Sequence, residues 1–206
     1  MNPSFKGAAK RLDAWDFGRL AKLIGVGEDE LRAVIDVEAA GGGFDVAGRP
    51  KMLFEPHVFY RELGEAKRAR AETQGLAYRR WGTKPYPRDS YARLALAIAI
   101  DRPAALRSAS WGMGQIMGFN CKLAGYPDAE AMIEAFLDDE ETHVQAMVNF
   151  IITNHLDIDL RRHDWAGFAR GYNGPGYAQN QYPQKLRAAY AKWAARPDTP
   201  QPKPKL

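Results

Sequence analysis

The sequence has a single cysteine, Cys121, among 206 residues, which excludes an internal disulfide and any cysteine-rich metal site; its expected role is core packing. No apolar stretch approaches the length needed to span a bilayer: the most apolar one, Leu94 to Ile100, covers barely two helical turns. The first twenty residues carry Lys6, Lys10, Arg11, Asp13, Asp16 and Arg19 and contain no apolar segment of export-signal length. Histidine is scarce as well. His57, His143, His155 and His163 form no His-Glu-x-x-His pattern, so no metal or other cofactor is expected. No internal repeat occurs, and no long run of one charge sign.

What is present is a soluble, globular composition, 46% hydrophobic and 26% charged, long enough for one substantial core. The net charge of +4 is a weak bias toward an anionic partner. The bases are scattered through Arg61 to Arg80, Arg161 to Arg170 and the C-terminus with acids among them, so neither nucleic-acid binding nor stable membrane insertion is expected.

The chain is organised around Asp29 to Gly43. Leu31, Val34 and Ile35 share one side of a helix with Glu38, so this carboxylate points toward the core while Asp36 takes the solvated face. Three glycines, 41 to 43, stop the helix about one turn beyond Glu38. Burial and the negative end of the helix dipole both raise a carboxyl pKa, which suits a general acid. The structural alternative is a glutamate paired with a buried arginine or lysine.

In chain order, residues 1–12 read as a mobile leader, and Asp16 as the cap of a helix that runs to Gly25. Lys51 to Glu55 is the best strand candidate, followed by a helical turn or two from Pro56 to Leu63. Gly64 to Arg88, basic and aromatic, reads as a long surface loop. Asp89 to Asp101 is an apolar helix and Pro103 opens the next one. Ser108 to Gly118, rich in small residues, reads as a cleft wall rather than core. Asp128 caps a helix to Leu137, and Glu140 to His155 is the central core helix, with Val144, Met147, Val148, Ile151 and Ile152 buried. Asp164 caps a helix entering the turn-rich Gly171 to Tyr177, and Tyr182 to Trp193 is the last helix. Residues 196–206, with four prolines, read as a disordered tail. The fold class is therefore mainly α (α+β), with a small β element beside the Glu38 helix.

Three segments stand out: Glu38, Ser110-Trp-Gly-Met-Gly-Gln115-Ile-Met117, and Tyr172-Asn-Gly174. Their order resembles that of the lysozyme-like glycosidase superfamily. Val37 to Phe44, Gly48 to Arg61 and Ala109 to Gly118 resemble, more closely, the phage-type N-acetylmuramidase family that supplies endolysin catalytic domains. The likeness covers roughly residues 15–195, and a single domain over residues 13–195 is expected. It implies a lysozyme-like helical domain that cuts the β-1,4 bond between N-acetylmuramic acid and N-acetylglucosamine in peptidoglycan. Glu38 would be the general acid. Ser110, Gln115, Tyr172 and Asn173 would hold N-acetyl and hydroxyl groups, and Met113 and Met117 would pack on the sugar. For these polar residues the structural alternative is a loop-stabilising hydrogen bond, and for the methionines it is plain core.

A second carboxylate is expected, since hydrolysis usually needs one as nucleophile or base. Glu55 matches the family pattern, with His57 as its partner. Asp45 is the alternative, and an ion pair of Glu55 with Arg49 or Arg61 is the structural reading. Two rival functions remain: a lytic transglycosylase that closes muramic acid into a 1,6-anhydro product, and a non-catalytic wall-binding module. A monomer in the host cytoplasm is expected, reaching the wall through a separate membrane-opening factor. The basic surface would then have to supply the attraction to the wall.

Overall fold

The computed structural model describes residues 4–39 and 42–199. Two helices deliver Glu38. Helix α1 (Ala14–Ile24) is capped by Asp13, which accepts from the Trp15 and Asp16 amides, while Asp16 reaches back to the Asp13 amide. Asp16 is therefore the third helical residue of a capping box, not the cap expected from the sequence. Gly25, at φ 76°, ends α1 in the left-handed conformation that glycine adopts without steric cost. Helix α2 (Glu28–Glu38) opens with three acids at its positive end and buries Leu31, Val34 and Ile35. It ends at Glu38 itself, one turn earlier than expected, with Ala39 as its C-cap; the expected glycine stop lies partly at Gly41, outside the described residues.

Strand β1 (Met52–Phe54) follows, then helices α3 (Pro56–Glu62) and α4 (Glu65–Thr73). The second of these corrects the expectation of one long loop from Gly64 to Arg88. Arg68 donates to the Tyr60 and Leu63 carbonyls, and buried Ala71 packs the helix inward, so only residues 74–90 are irregular. Helices α5 (Tyr91–Ile98) and α6 (Arg102–Arg107) lead into strands β2 (Ala109–Trp111) and β3 (Ile116–Met117). The three strands form one antiparallel sheet in the order β1-β2-β3, pairing Leu53 with Ser110 and Ser110 with Met117.

The C-terminal half is helical: α7 (Ala129–Phe136), α8 (Glu140–Thr153), α9 (Asp157–Arg161), α10 (Trp165–Asn173) and α11 (Tyr182–Ala194). Helix α8 runs through the core, burying Val144, Met147, Val148 and Ile151 completely, whereas Ile152 is exposed, against expectation. Helix α11 packs along α2. Its Lys192 and Trp193 side chains both donate to Asp36, which lies on the exposed face as expected and also clasps the two helices together.

The expected leader is, from Phe5 onward, part of the packed domain. The Phe5 ring lies 5.7 Å from Trp111 and 5.4 Å from Tyr91, a burial contributing about 1.5–3 kcal/mol. The Ala9 and Lys10 amides donate to the Leu137 and Asp138 carbonyls. At the other end, the Thr199 amide and hydroxyl both bond Glu28, so residues up to 199 lie on α2; residues 200–206 of the expected tail lie outside the described residues. Among the described residues no helix is long and apolar enough to cross a membrane.

Candidate active site

Glu38 is the last residue of α2, held there by the buried stripe on the same side of the helix. Its carboxyl is partly buried, and desolvation raises its pKa above the ordinary carboxyl range. The hydrogen bond from Asn173 and the positive charge of Lys185 act in the opposite sense without cancelling that rise. The Asn173 amide donates to Glu38 Oε1 at 3.0 Å. No arginine or lysine forms an ion pair with Glu38 among the described residues, so the buried ion-pair alternative is not what the structure contains.

Asn173 and Tyr172 close helix α10, whose Asp164 cap accepts from the Gly167 amide and whose end is turned by Gly174 at φ 71°. The Tyr172 ring is stacked on Phe168 at 5.5 Å and met edge-on by Phe150 at 5.6 Å. Its hydroxyl donates to the Gly114 carbonyl at 3.2 Å, not to Glu38. Burial first, then the nearby charge of Glu38, pushes the Tyr172 phenol well up, so it stays protonated. Tyr172 thereby links the Glu38 neighbourhood to the turn between β2 and β3.

That turn is a tight hairpin and not the loosely packed wall expected. Ala109 and Trp111 are fully buried, and the Trp111 indole donates to the Leu106 carbonyl. Gly112, at φ 67°, and Gln115, at φ 48°, shape the turn. Ser110 Oγ donates to Gln115 Oε1 at 2.9 Å, and Gln115 Nε2 donates to the Gly112 carbonyl at 2.9 Å. These two polar residues staple the hairpin to itself; Gln115 is exposed and Ser110 buried. Met113 is only 4% exposed and belongs to the core, which corrects the sugar-facing position expected for it; Met117 is partly exposed.

The residue that fixes the turn from below is His143, which the sequence singles out only as a metal ligand to be dismissed. It is fully buried on α8, its Nδ1 accepts from the Met113 amide at 3.2 Å, and its Nε2 stands 2.7 Å from the Phe136 carbonyl. A neutral ring protonated on Nε2 satisfies both contacts, and burial pushes its pKa down to about 4. Its position three and four residues before Ala146 and Met147, on the buried stripe, was the available signal. Glu140, one turn earlier and also buried, accepts from the Gly43 amide at 2.7 Å, the Leu12 amide at 3.0 Å and Arg11 at 2.6 Å. It fastens the segment that leaves Glu38 to the core helix.

Glu55 caps β1 at the end opposite the turn: its amide donates to the Ser108 carbonyl, whereas the Lys51 carbonyl accepts from Gly112. The Tyr86 hydroxyl donates to Glu55 Oε2, and His57 Nδ1 lies 3.2 Å from the same oxygen. Desolvation and the Glu55 carboxylate hold the Tyr86 phenol far above its ordinary pKa. Arg49 pairs with Asp45 and Asp89 instead, so neither the Arg49 pairing of Glu55 nor a free Asp45 is found. Among the described residues no three His, Cys, Asp or Glu side chains gather as metal ligands. The structure thus joins Glu38 to Asn173, Tyr172 to the turn, and Ser110 to Gln115, with Glu55 at the far end of β1.

Comparison with known proteins agrees with this architecture. The family model for N-acetylmuramidase matches residues 28–194. The crystal structure of a Burkholderia AP3 phage endolysin superposes with a TM-score of 0.82 at 38% identity, covering 91% of this chain and 73% of that one. No curated protein matches. A match over most of the folded chain, on a helical domain that carries a glutamate at a helix end beside a Ser-Gln hairpin and a Tyr-Asn turn, places the chain in the N-acetylmuramidase family of peptidoglycan-degrading glycoside hydrolases.

Proposed function

We propose that Glu38 is the general acid of this muramidase, giving its proton to the bridging oxygen of the β-1,4 bond between N-acetylmuramic acid and N-acetylglucosamine. The observation that carries the reading is a carboxyl raised by burial with one oxygen, Oε1, already occupied by Asn173. Oε2 is then the oxygen that carries the proton. As the C1–O bond breaks, its electron pair goes to the leaving oxygen together with that proton. Water completes the reaction at C1 and yields a second proton to a base. Glu55 is the proposed second carboxylate, oriented by Tyr86 and His57 in the way a base is oriented by a third group.

Asn173, Tyr172, Ser110, Gln115 and Met117 form the proposed sugar-facing surface. Ser110 acts mainly through Gln115, which it orients. The protein is proposed to work as a monomer that binds no nucleic acid and waits in the host cytoplasm until the membrane is opened.

The test is digestion of purified peptidoglycan by the protein, by Glu38→Gln and by Glu55→Gln, with the released sugar ends identified by mass spectrometry. Reducing N-acetylmuramic acid from the parent, reduced about 10²–10⁴-fold by Glu38→Gln, is the expected result. Anhydro-muramic ends, with full activity in Glu55→Gln, would remove Glu55 from the mechanism. Undiminished digestion by Glu38→Gln would place the acid elsewhere.

A further inference from the structure

The chain carries a net charge of +4, and residues 76–88 alone contain four cations, Arg79, Arg80, Lys84 and Arg88, with no acid. The charges of the rest of the chain balance in number. Among the described residues none of the four is in an ion pair. Arg79 donates to the Tyr60 hydroxyl and Lys84 lies 5.5 Å from the Tyr78 ring centroid, contacts that fix the side chains but leave the charge uncompensated. In the midst of these cations stands Trp81, 72% exposed, the most exposed aromatic of the molecule's large exposed hydrophobics.

The segment is built rather than loose. The Tyr86 hydroxyl donates to Glu55. Pro85 and Pro87 flank Tyr86 and fix the backbone on either side of it. Tyr78 donates to the Gly75 carbonyl, and Thr83 to the Arg80 carbonyl. Further on, Tyr91 donates to the Pro50 carbonyl at 2.6 Å. The arm therefore follows the edge strand β1 from Glu55 at one end to Lys51 at the other. There it borders a groove of about 520 Å³ lined by Arg88, Lys51, Met52, Arg49, Asp45 and Gln115. The same groove reaches the hairpin turn of the candidate active site.

We propose that this arm, with the groove between Arg88 and Gln115, is a second binding site for the wall polymer. Trp81 takes the face of a sugar, and Arg80, Lys84 and Arg88 take the carboxylates that the peptide stems add to the glycan. An exposed indole ringed by uncompensated cations matches a ligand that alternates apolar sugar faces with anionic branches. Because the arm is held in place before binding, little ordering cost is left to offset the contacts. The proposal rests on the muramidase reading for the identity of the polymer, but its contacts lie outside the Glu38 cluster.

The test is co-sedimentation of the full chain with purified peptidoglycan on ice, at low and raised ionic strength. The parent is compared with Trp81→Ala, with the double variant Arg80→Glu/Lys84→Glu, and with a control of equal charge change at exposed positions elsewhere on the surface, Lys22→Glu/Arg162→Glu. The expected result is an affinity lower by on the order of tenfold for Trp81→Ala and for the arm double variant, with the control close to the parent. Salt should weaken the parent and barely affect the arm double variant. Amidase cleavage leaves the lactyl carboxylate on each muramic acid while removing the carboxylates of the peptides, so glycan stripped in this way should bind the parent with the salt-dependent part reduced. Equal weakening by the control would assign the attraction to net charge and overturn the proposal, as would parent-like binding by both arm variants. Release of reducing ends by the parent at working temperature is scored separately, so failure of the muramidase reading shows there and failure of the arm shows only in binding.

Discussion

Asn173 reaches across 135 residues of chain to bond Glu38 at 3.0 Å, joining the last residue of α10 to the last residue of α2. The bond works against the burial that raises the Glu38 pKa, because a donor favours the ionised form. If Glu38 acts while protonated, activity falls as pH rises through its folded pKa. Asn173→Ala removes a lowering influence, so that alkaline fall should move to higher pH. The maximal rate should drop about tenfold as the carboxyl loses its orientation. A pH profile of peptidoglycan digestion reads both effects; an alkaline limb displaced downward would contradict the assignment.

His143 should make stability depend on pH in a window of its own. Its folded pKa, about 4, lies below the ordinary histidine value of 6.5, so its contribution is complete above pH 6.5 and is lost as pH falls toward 4. Protonating the buried ring would set an N–H against the Met113 amide. Over that window unfolding free energy should decline by about 3 kcal/mol, and by much less in His143→Gln. His57, whose pKa is also lowered by desolvation, slopes the same way and remains in the variant as an internal comparison. Urea unfolding at several pH values makes the measurement.

Glu140 behaves with its own sign. Burial would raise its pKa, but the amides of Gly43 and Leu12 and the Arg11 guanidinium outweigh it and hold the carboxyl below its ordinary range. Its stabilisation is therefore present above the ordinary carboxyl pKa and lost as pH falls through the lowered one. Glu140→Gln exchanges a charged acceptor for a group that turns an NH₂ toward one of these donors. It should cost about 1.5–3 kcal/mol at neutral pH in chemical unfolding, with Asp139, the neighbouring cap, left as the control position.

Gly114 marks the closest approach of the hairpin to the core helix. A Cβ there would lie 2.2 Å from Met147 Cγ and 3.0 Å from the Tyr172 hydroxyl. Gly114→Ala must push the turn off α8 or displace Met147, so about 1–3 kcal/mol of stability should be lost, read as a lower thermal midpoint. Activity on peptidoglycan should fall further than stability, because the Tyr172 bond to the Gly114 carbonyl moves with the turn.

Much of the architecture was legible because the apolar stripes were regular. Leu31, Val34 and Ile35 aim Glu38, and Asp128 and Asp164 cap the helices expected of them, although α10 runs through Tyr172 and Asn173 into the segment expected to be a turn and ends at Gly174. The errors have a common cause, which is tertiary contact overriding local composition. The leader looked mobile because no periodicity shows that Phe5 will fill a space against Trp111 and Tyr91. Helix α4 was hidden by a nearly all-polar sequence, whose one buried residue, Ala71, leaves almost no stripe to read. Met113 was placed on the sugar because its glycine-rich surroundings suggest openness, whereas His143 draws that very backbone inward. In the candidate site, Glu38, Tyr172, Asn173 and Gln115 were recognisable by motif. Tyr86, which bonds Glu55, was not, since nothing in a proline-flanked tyrosine announces a partner thirty-one residues upstream.

The bond from Glu140 to Leu12 and Arg11 has one more consequence. The N-acetylmuramidase family model begins at residue 28, yet the carboxylate that secures the exit from α2 takes two of its donors from before that point. A gene fragment cut where the likeness starts would encode every motif residue and still lack part of the frame that aims them. In this protein the stretch that the family model matches is shorter than the stretch that folds as a unit, and an engineer shuffling such domains should cut by contacts rather than by the bounds of that match.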